Sequence, residues 1–109
     1  MKCTILLAAA LLAAGCSSLY QTTDEQMRKM LGQPVSNLIK KWGTPVDKRV
    51  IGGKRLMTFR TDAAGAVPED AAAMPPGSYC DSTVEVDSRD VVIGYYWDGA
   101  HCEAAAHRL

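Results

Sequence analysis

The stretch MLGQPVSNLIKKWGTPVDKRVIGGKRLMTF, residues 30–59, decides the fold, because the period of its apolar residues changes halfway along. Val35, Leu38, Ile39 and Trp42 fall at i, i+3, i+4 and i+7, the stripe of an amphipathic helix. Pro34 suits the first turn, Lys40 and Lys41 sit near the end where they favour the helix dipole, and Gly43-Thr44-Pro45 stops it. From Val46 the period becomes two. With Gly52-Gly53 as a two-residue hairpin turn, Val46, Val50, Met57 and Phe59 share one face of a strand pair, and Asp47, Arg49 and Thr58 share the other. One face can then pack on helices.

Upstream, Met27, Met30 and Leu31 repeat at helical spacing and Gly32 ends a first helix. Two starts are available: Thr23 as N-cap with Gln26 three residues on, or Thr22 with Glu25. Downstream, a second hairpin is predicted with Val86 opposite Val91, Val84 opposite Ile93, Ser82 opposite Tyr95 and Cys80 opposite Trp97, closed by a loop over Asp87 to Asp90. A slip of one residue would set Glu85 against Ile93, so apolar matching favours this register. It puts Tyr95 and Trp97 with Trp42 among the packing residues. Val92 and Tyr96 then lie on the outer face beside Gly94, a candidate contact for a partner, since aromatic anchors tend to dominate interfaces. Asp98-Gly99 would turn Cys102 back toward Cys80.

The expected class is α+β: two short N-terminal helices packed on an antiparallel sheet of two hairpins, forming a single domain over residues 23–102. Between the hairpins, residues 61–78 are rich in alanine and proline without periodicity. They read as a mobile spacer, with a partner-binding loop as the alternative. Residues 103–109 read as a flexible tail.

Residues 1–15 have the features of an export signal. Lys2 supplies the positive start, Ile5 to Leu12 an apolar run too short to span a bilayer stably, and Ala13-Ala14-Gly15 a small-residue cleavage site before Cys16. The arrangement resembles a bacterial lipoprotein signal peptide. That resemblance implies acylation of Cys16, a lipidated tether over residues 16–22 and anchoring through membrane lipid, palmitate included. Ser17 and Ser18 after the cysteine, with no aspartate there, resemble sorting to the outer membrane, facing the periplasm. An ordinary secretory signal or an uncleaved short anchor are the alternatives.

Removing residues 1–15 leaves 94 of 109 residues, one small domain with a formal charge of −1. That balance offers no footprint for nucleic acid and no polybasic tract for an anionic membrane, so membrane residence would rest on the lipid. Cys3 leaves with the leader and Cys16 is acylated, which pairs Cys80 with Cys102 as a disulfide in an oxidising compartment. The competing metal site, Cys80 with His101 and Cys102, suffers because adjacent residues rarely share one tetrahedral centre. No cofactor is implied.

The order of two helices and a sheet, with Gly32 before the second helix, Gly43 and Pro45 after it and a strand pair over Val46 to Arg60, resembles small outer-membrane lipoproteins of the SmpA/OmlA, or BamE-like, type. The resemblance spans residues 23–60, and residues 80–98 only as generic strands. It implies a role in envelope assembly. The insertion at 61–77 and the Cys80/Cys102 pair depart from the family's pattern, and no family binding residue is carried across.

Catalytic chemistry finds little purchase. His101 and His107 lie in or beside the tail, Asp81, Glu85 and Asp87 alternate as a solvated strand face would, and Gly52-Gly53 lacks the strand-loop-helix context of a phosphate cradle. The expectation is no enzyme, and a lipid-anchored periplasmic scaffold that binds an envelope protein through its sheet or the 61–77 loop. The alternatives are a periplasmic inhibitor of a hydrolase, of the lysozyme or β-lactamase type, and a lipoprotein of purely structural role.

Overall fold

The computed structural model of the chain describes residues 22–109. The expected leader at 1–15, the acylation site Cys16 and nearly all of the tether at 16–22 lie outside the described residues. The fold is α+β, a four-stranded antiparallel sheet with a few short helices. In chain order these are α1 (Thr23–Met27), α2 (Val35–Trp42), β1 (Asp47–Ile51), β2 (Lys54–Thr61), β3 (Cys80–Val86), β4 (Val92–Gly99) and α3 (Cys102–His107). Single 3₁₀ turns occupy Arg28–Met30 and Ala71–Ala73.

Of the two possible starts for α1, the structure takes the earlier. Thr22 Oγ1 accepts from the Glu25 amide at 3.1 Å, and Glu25 Oε1 accepts from the Thr22 amide at 2.9 Å, a reciprocal capping box. The α-helix then tightens to 3₁₀ at Arg28, which buries Met27 and Met30 but leaves Leu31 exposed. In α2 the predicted stripe is narrower than expected. Val35, Leu38 and Trp42 are buried, whereas Ile39 lies at its margin, 37% exposed.

The strands form one sheet in the order β1-β2-β3-β4. The two expected hairpins are thus fused, because β2 pairs with β3 from Arg55↔Val86 through Thr61↔Cys80. Met57, Phe59, Val84, Tyr95 and Trp97 share the face that meets the helices, and Trp42 packs on Phe59 with ring centroids 5.5 Å apart. Among the described residues the core runs from Met27 to Leu109.

The second hairpin departs from its predicted register by two residues. Val84 faces Tyr95, Ser82 faces Trp97 and Cys80 faces Gly99, and the pairing shifts between Glu85 and Val86, so that Val86 faces Val92 and Ile93 is the extra residue. The cause lies outside the hairpin. The Gly32 amide donates to Val92 O, the Val92 amide to Gln33 O and the Val35 amide to Asp90 O, and Pro34 bridges Val91. The connection into α2 therefore acts as a short fifth strand that captures Val91 and Val92, and a bulge absorbs the mismatch.

The expected flexible tail at 103–109 is also corrected. Residues Cys102–His107 form α3, with Ala105 and Ala106 buried and Leu109 packed against the core. A helix of this length does not persist alone in water. It is held by the Cys80–Cys102 disulfide, by Trp42 Nε1 donating to Ala105 O at 2.9 Å, and by Arg108 Nε donating to Lys41 O at 3.2 Å. The long connection after β2 is likewise built of bonded turns. Asp62 Oδ1 accepts from the amides of Ala64 and Ala66, the Val67 amide donates to Trp42 O, and Ala71 is buried. No helix among the described residues is long and apolar enough to cross a membrane.

Candidate functional site

All three helices pack on the same face of the sheet, and among the described residues the other face is covered only near Arg60, where the long connection places Ala71 and Tyr79. Antiparallel pairing arranges that outer face in rows. Asp47, Thr58, Thr83 and Tyr96 form one row, Arg49, Leu56, Glu85 and Gly94 the next, and Arg60, Asp81 and Asp98 a third. Tyr96 is 61% exposed and Ile51 53%, yet Thr83 between them is buried. The Arg49 guanidinium has its pKa raised mainly by its hydrogen bond to Asp47 and to a smaller degree by Tyr96. The Thr58 and Thr83 hydroxyls bond to each other at 2.9 Å.

The result is an open depression of about 280 Å³, floored by Leu56, Thr58 and Thr83 and walled by Arg49, Asp81, Tyr96 and Asp98. Sites for small ligands bury most of the ligand in volumes of roughly 300–1,000 Å³. This depression is shallow and suits a surface contact. Its charges are largely matched in place. Arg49 pairs with Asp47 at 2.6 Å, and Arg60 grips Asp81 with two bonds of 2.9 Å while lying 3.8 Å from the Tyr79 ring centroid. Those bonds hold the Arg60 pKa above its ordinary value, with Asp81 the dominant cause. The face is therefore stiff, with Arg49, Arg60, Asp81 and the two threonine hydroxyls already partnered beside one large exposed aromatic.

Of the two outer-face contacts expected from the sequence, Tyr96 is on the surface and Val92 is not. Val92 is fully buried, since the bulge at Ile93 and the backbone bonds to Gln33 turn it inward. Ile93 takes the exposed place at 53%. Cys80 and Cys102 are joined in a disulfide, their Cα atoms 5.1 Å apart, which excludes them as metal ligands. The acidic trio is dispersed. Asp81 pairs with Arg60, Glu85 faces out beside Gly94, and Asp87 closes the β3-β4 turn by accepting from the Arg89 and Val91 amides. The Val91 amide is the main reason the Asp87 carboxyl sits below its usual range. His101 caps α3 in the left-handed region at φ 66°, and His107 ends it; both are exposed. Among the described residues no group of His, Cys, Asp and Glu could hold a metal ion.

Leu56, Thr83 and Ile51 went unnoticed in the sequence as parts of this face. In KRLMTF two apolar residues, Leu56 and Met57, are adjacent, and alternation alone does not show which of them turns outward. The pairing register settles it. Comparison of the chain with protein-family models, curated proteins and solved structures finds no match. A functional reading therefore rests on the chain's own geometry.

Proposed function

We propose that this protein is a lipid-anchored binding protein of the bacterial envelope, of the SmpA/OmlA kind, attached through acylated Cys16 and docking a protein partner on the outer face of its sheet. The observation that supports this reading is Tyr96, exposed on the edge strand β4 beside a depression of the sheet's outer face, where Arg49 and Asp81 are already held in ion pairs. An aromatic in that setting loses little side-chain entropy on contact and brings a large apolar area, the character of an interface anchor. The leader-like segment before Cys16 supports the address. In this reading the disulfide and α3 stiffen the domain, and the partner meets a preorganised surface.

A photocrosslinking residue placed at position 96, in cells that retain the full chain, should yield one discrete adduct in the membrane fraction. Tyr96→Ala should abolish co-purification of the same protein while leaving the thermal midpoint unchanged. Crosslinking from position 96 no greater than from an exposed helix position such as Lys40 would overturn the docking face. Intact mass of the membrane-extracted chain before and after reduction tests the anchor separately, through the acyl mass on Cys16.

A further inference from the structure

The tip of the β1-β2 hairpin reads Lys48-Arg49-Val50-Ile51-Gly52-Gly53-Lys54-Arg55, two apolar residues and a glycine turn between two basic pairs. Pairing of Val50 with Arg55 and of Ile51 with Lys54 folds these pairs onto one another. Lys48, Val50 and Arg55 lie on one side of the ribbon, and Arg49, Ile51 and Lys54 lie on the other. Val50 is 69% exposed and Ile51 53%; among the described residues α2 shares a hollow with Arg55 but covers neither of them. Around the turn the space is open, since a Cβ on Gly52 or Gly53 would meet nothing within 4 Å. Arg49 is tied to Asp47, and Arg55 to Asp90 and the Asp87 carbonyl, whereas Lys48 and Lys54 have no ion pair among the described residues. Four of the chain's twelve basic residues thus gather here, with Arg49 and Arg55 offset by Asp47 and Asp90, leaving Lys48 and Lys54 as the cations with no ion pair among the described residues.

We propose that this hairpin tip inserts into the surface of a bilayer carrying anionic lipid, independently of any acyl anchor. The distribution of chemistry around the tip selects this occupant. A protein groove would meet one side of a ribbon, but here each side carries one exposed apolar residue, Val50 or Ile51, with cations beside it, as a fluid surrounding the tip would require. The layering also matches. Strand residues rise about 3.4 Å each, so the Lys48 and Arg49 backbone stands roughly 7–10 Å behind Ile51. That is the depth, about 5–10 Å, to which interfacial elements bury their apolar parts below the headgroups. Cations at phosphate level then meet opposite charge, each worth roughly fivefold in partitioning. The near-zero net charge of the whole chain conceals this local concentration.

The test uses residues 17–109, which contain the entire core and the disulfide and cannot be acylated, with sedimentation onto phosphatidylcholine vesicles with and without phosphatidylglycerol. Partitioning should be at least about tenfold stronger onto the anionic vesicles and should fall with added salt. The double variant Lys48→Glu/Lys54→Glu should lose that preference, and Val50→Ser/Ile51→Ser should weaken binding at unchanged charge. Charge reversal also separates membrane binding from simple protection of an edge strand, since glutamate protects an edge as lysine does. Circular dichroism and thermal midpoints should match the wild type, because all four side chains are exposed. Equal binding to both vesicle types, or full binding by the double variant, would overturn the proposal. Hairpin-dependent binding to polyglutamate without binding to vesicles would overturn it in favour of an acidic protein. The Lys48→Glu/Lys54→Glu arm changes no residue lining the depression beside Tyr96, so its outcome does not bear on docking there, whereas Ile51 belongs to both surfaces.

Discussion

Two glycines of the long connection show how one missing methyl group is used in different ways. Gly65 and Gly77 both hold positive φ, at 83° and 87°, where a side chain is strained. Around Gly77 the space is open, but a Cβ on Gly65 would stand 2.4 Å from the Ala104 carbonyl oxygen. Gly77→Ala is expected to lose about 1 kcal/mol and Gly65→Ala at least about 3 kcal/mol, the difference being displacement of α3. Urea denaturation of the two variants measures both. A second residue-scale prediction concerns acid. Asp24 has its pKa lowered from an ordinary 3.8, first by the hydrogen bond from Tyr95 and then by Arg28. A depressed carboxyl contributes stability that is present above the unfolded-state value and is lost as pH falls through the folded one. The thermal midpoint should therefore fall as pH drops below about 4, and Asp24→Asn should flatten that fall while lowering the midpoint at neutral pH.

At the scale of elements, α3 illustrates how a segment with little intrinsic helicity becomes part of the core. Six residues with three alanines cannot offset the cost of helix nucleation unaided. The Cys80–Cys102 bridge holds one end, the Trp42 indole bonds to Ala105 O, and the Gly65 loop lies against Ala104. Replacing both cysteines by serine removes a cross-link spanning 22 residues and should lower stability by on the order of 3 kcal/mol. The variant should also quench or shift Trp42 fluorescence and increase hydrogen exchange across residues 102–107. Unchanged exchange there would show that packing alone holds the helix. The β3-β4 hairpin carries the complementary lesson. Its partners were visible in the alternation of apolar residues, but its register was set by the residues leading into α2, which pair with Val91 and Val92 from outside the hairpin.

Across the whole molecule a single layer of helices covers one side of the sheet, and Phe59 sits at the junction, fully buried against Trp42. Phe59→Ala should cost about 3–5 kcal/mol, enough to unfold much of a domain this small at physiological temperature, as thermal denaturation would record. The helix-to-strand change at Gly43-Thr44-Pro45, the Gly52-Gly53 turn, a cap at Thr22 or Thr23 and the pairing of two cysteines were all legible in the sequence, because each depends on neighbours along the chain or on counting. Tyr96 was legible as an outward aromatic, whereas Val92 was misplaced by the bulge at Ile93 and the floor formed by Leu56 and Thr83 carried no sequence signal. By itself the sequence determined the periods, the turns and the class of fold, since these follow from local sterics and from the spacing of apolar side chains. Only the tertiary structure decided that the hairpins join into one sheet, that the last residues become a helix over Trp42, and that basic residues gather at the β1-β2 tip. Those outcomes depend on contacts between segments distant in sequence, and one segment's pattern does not say which surface another will present to it.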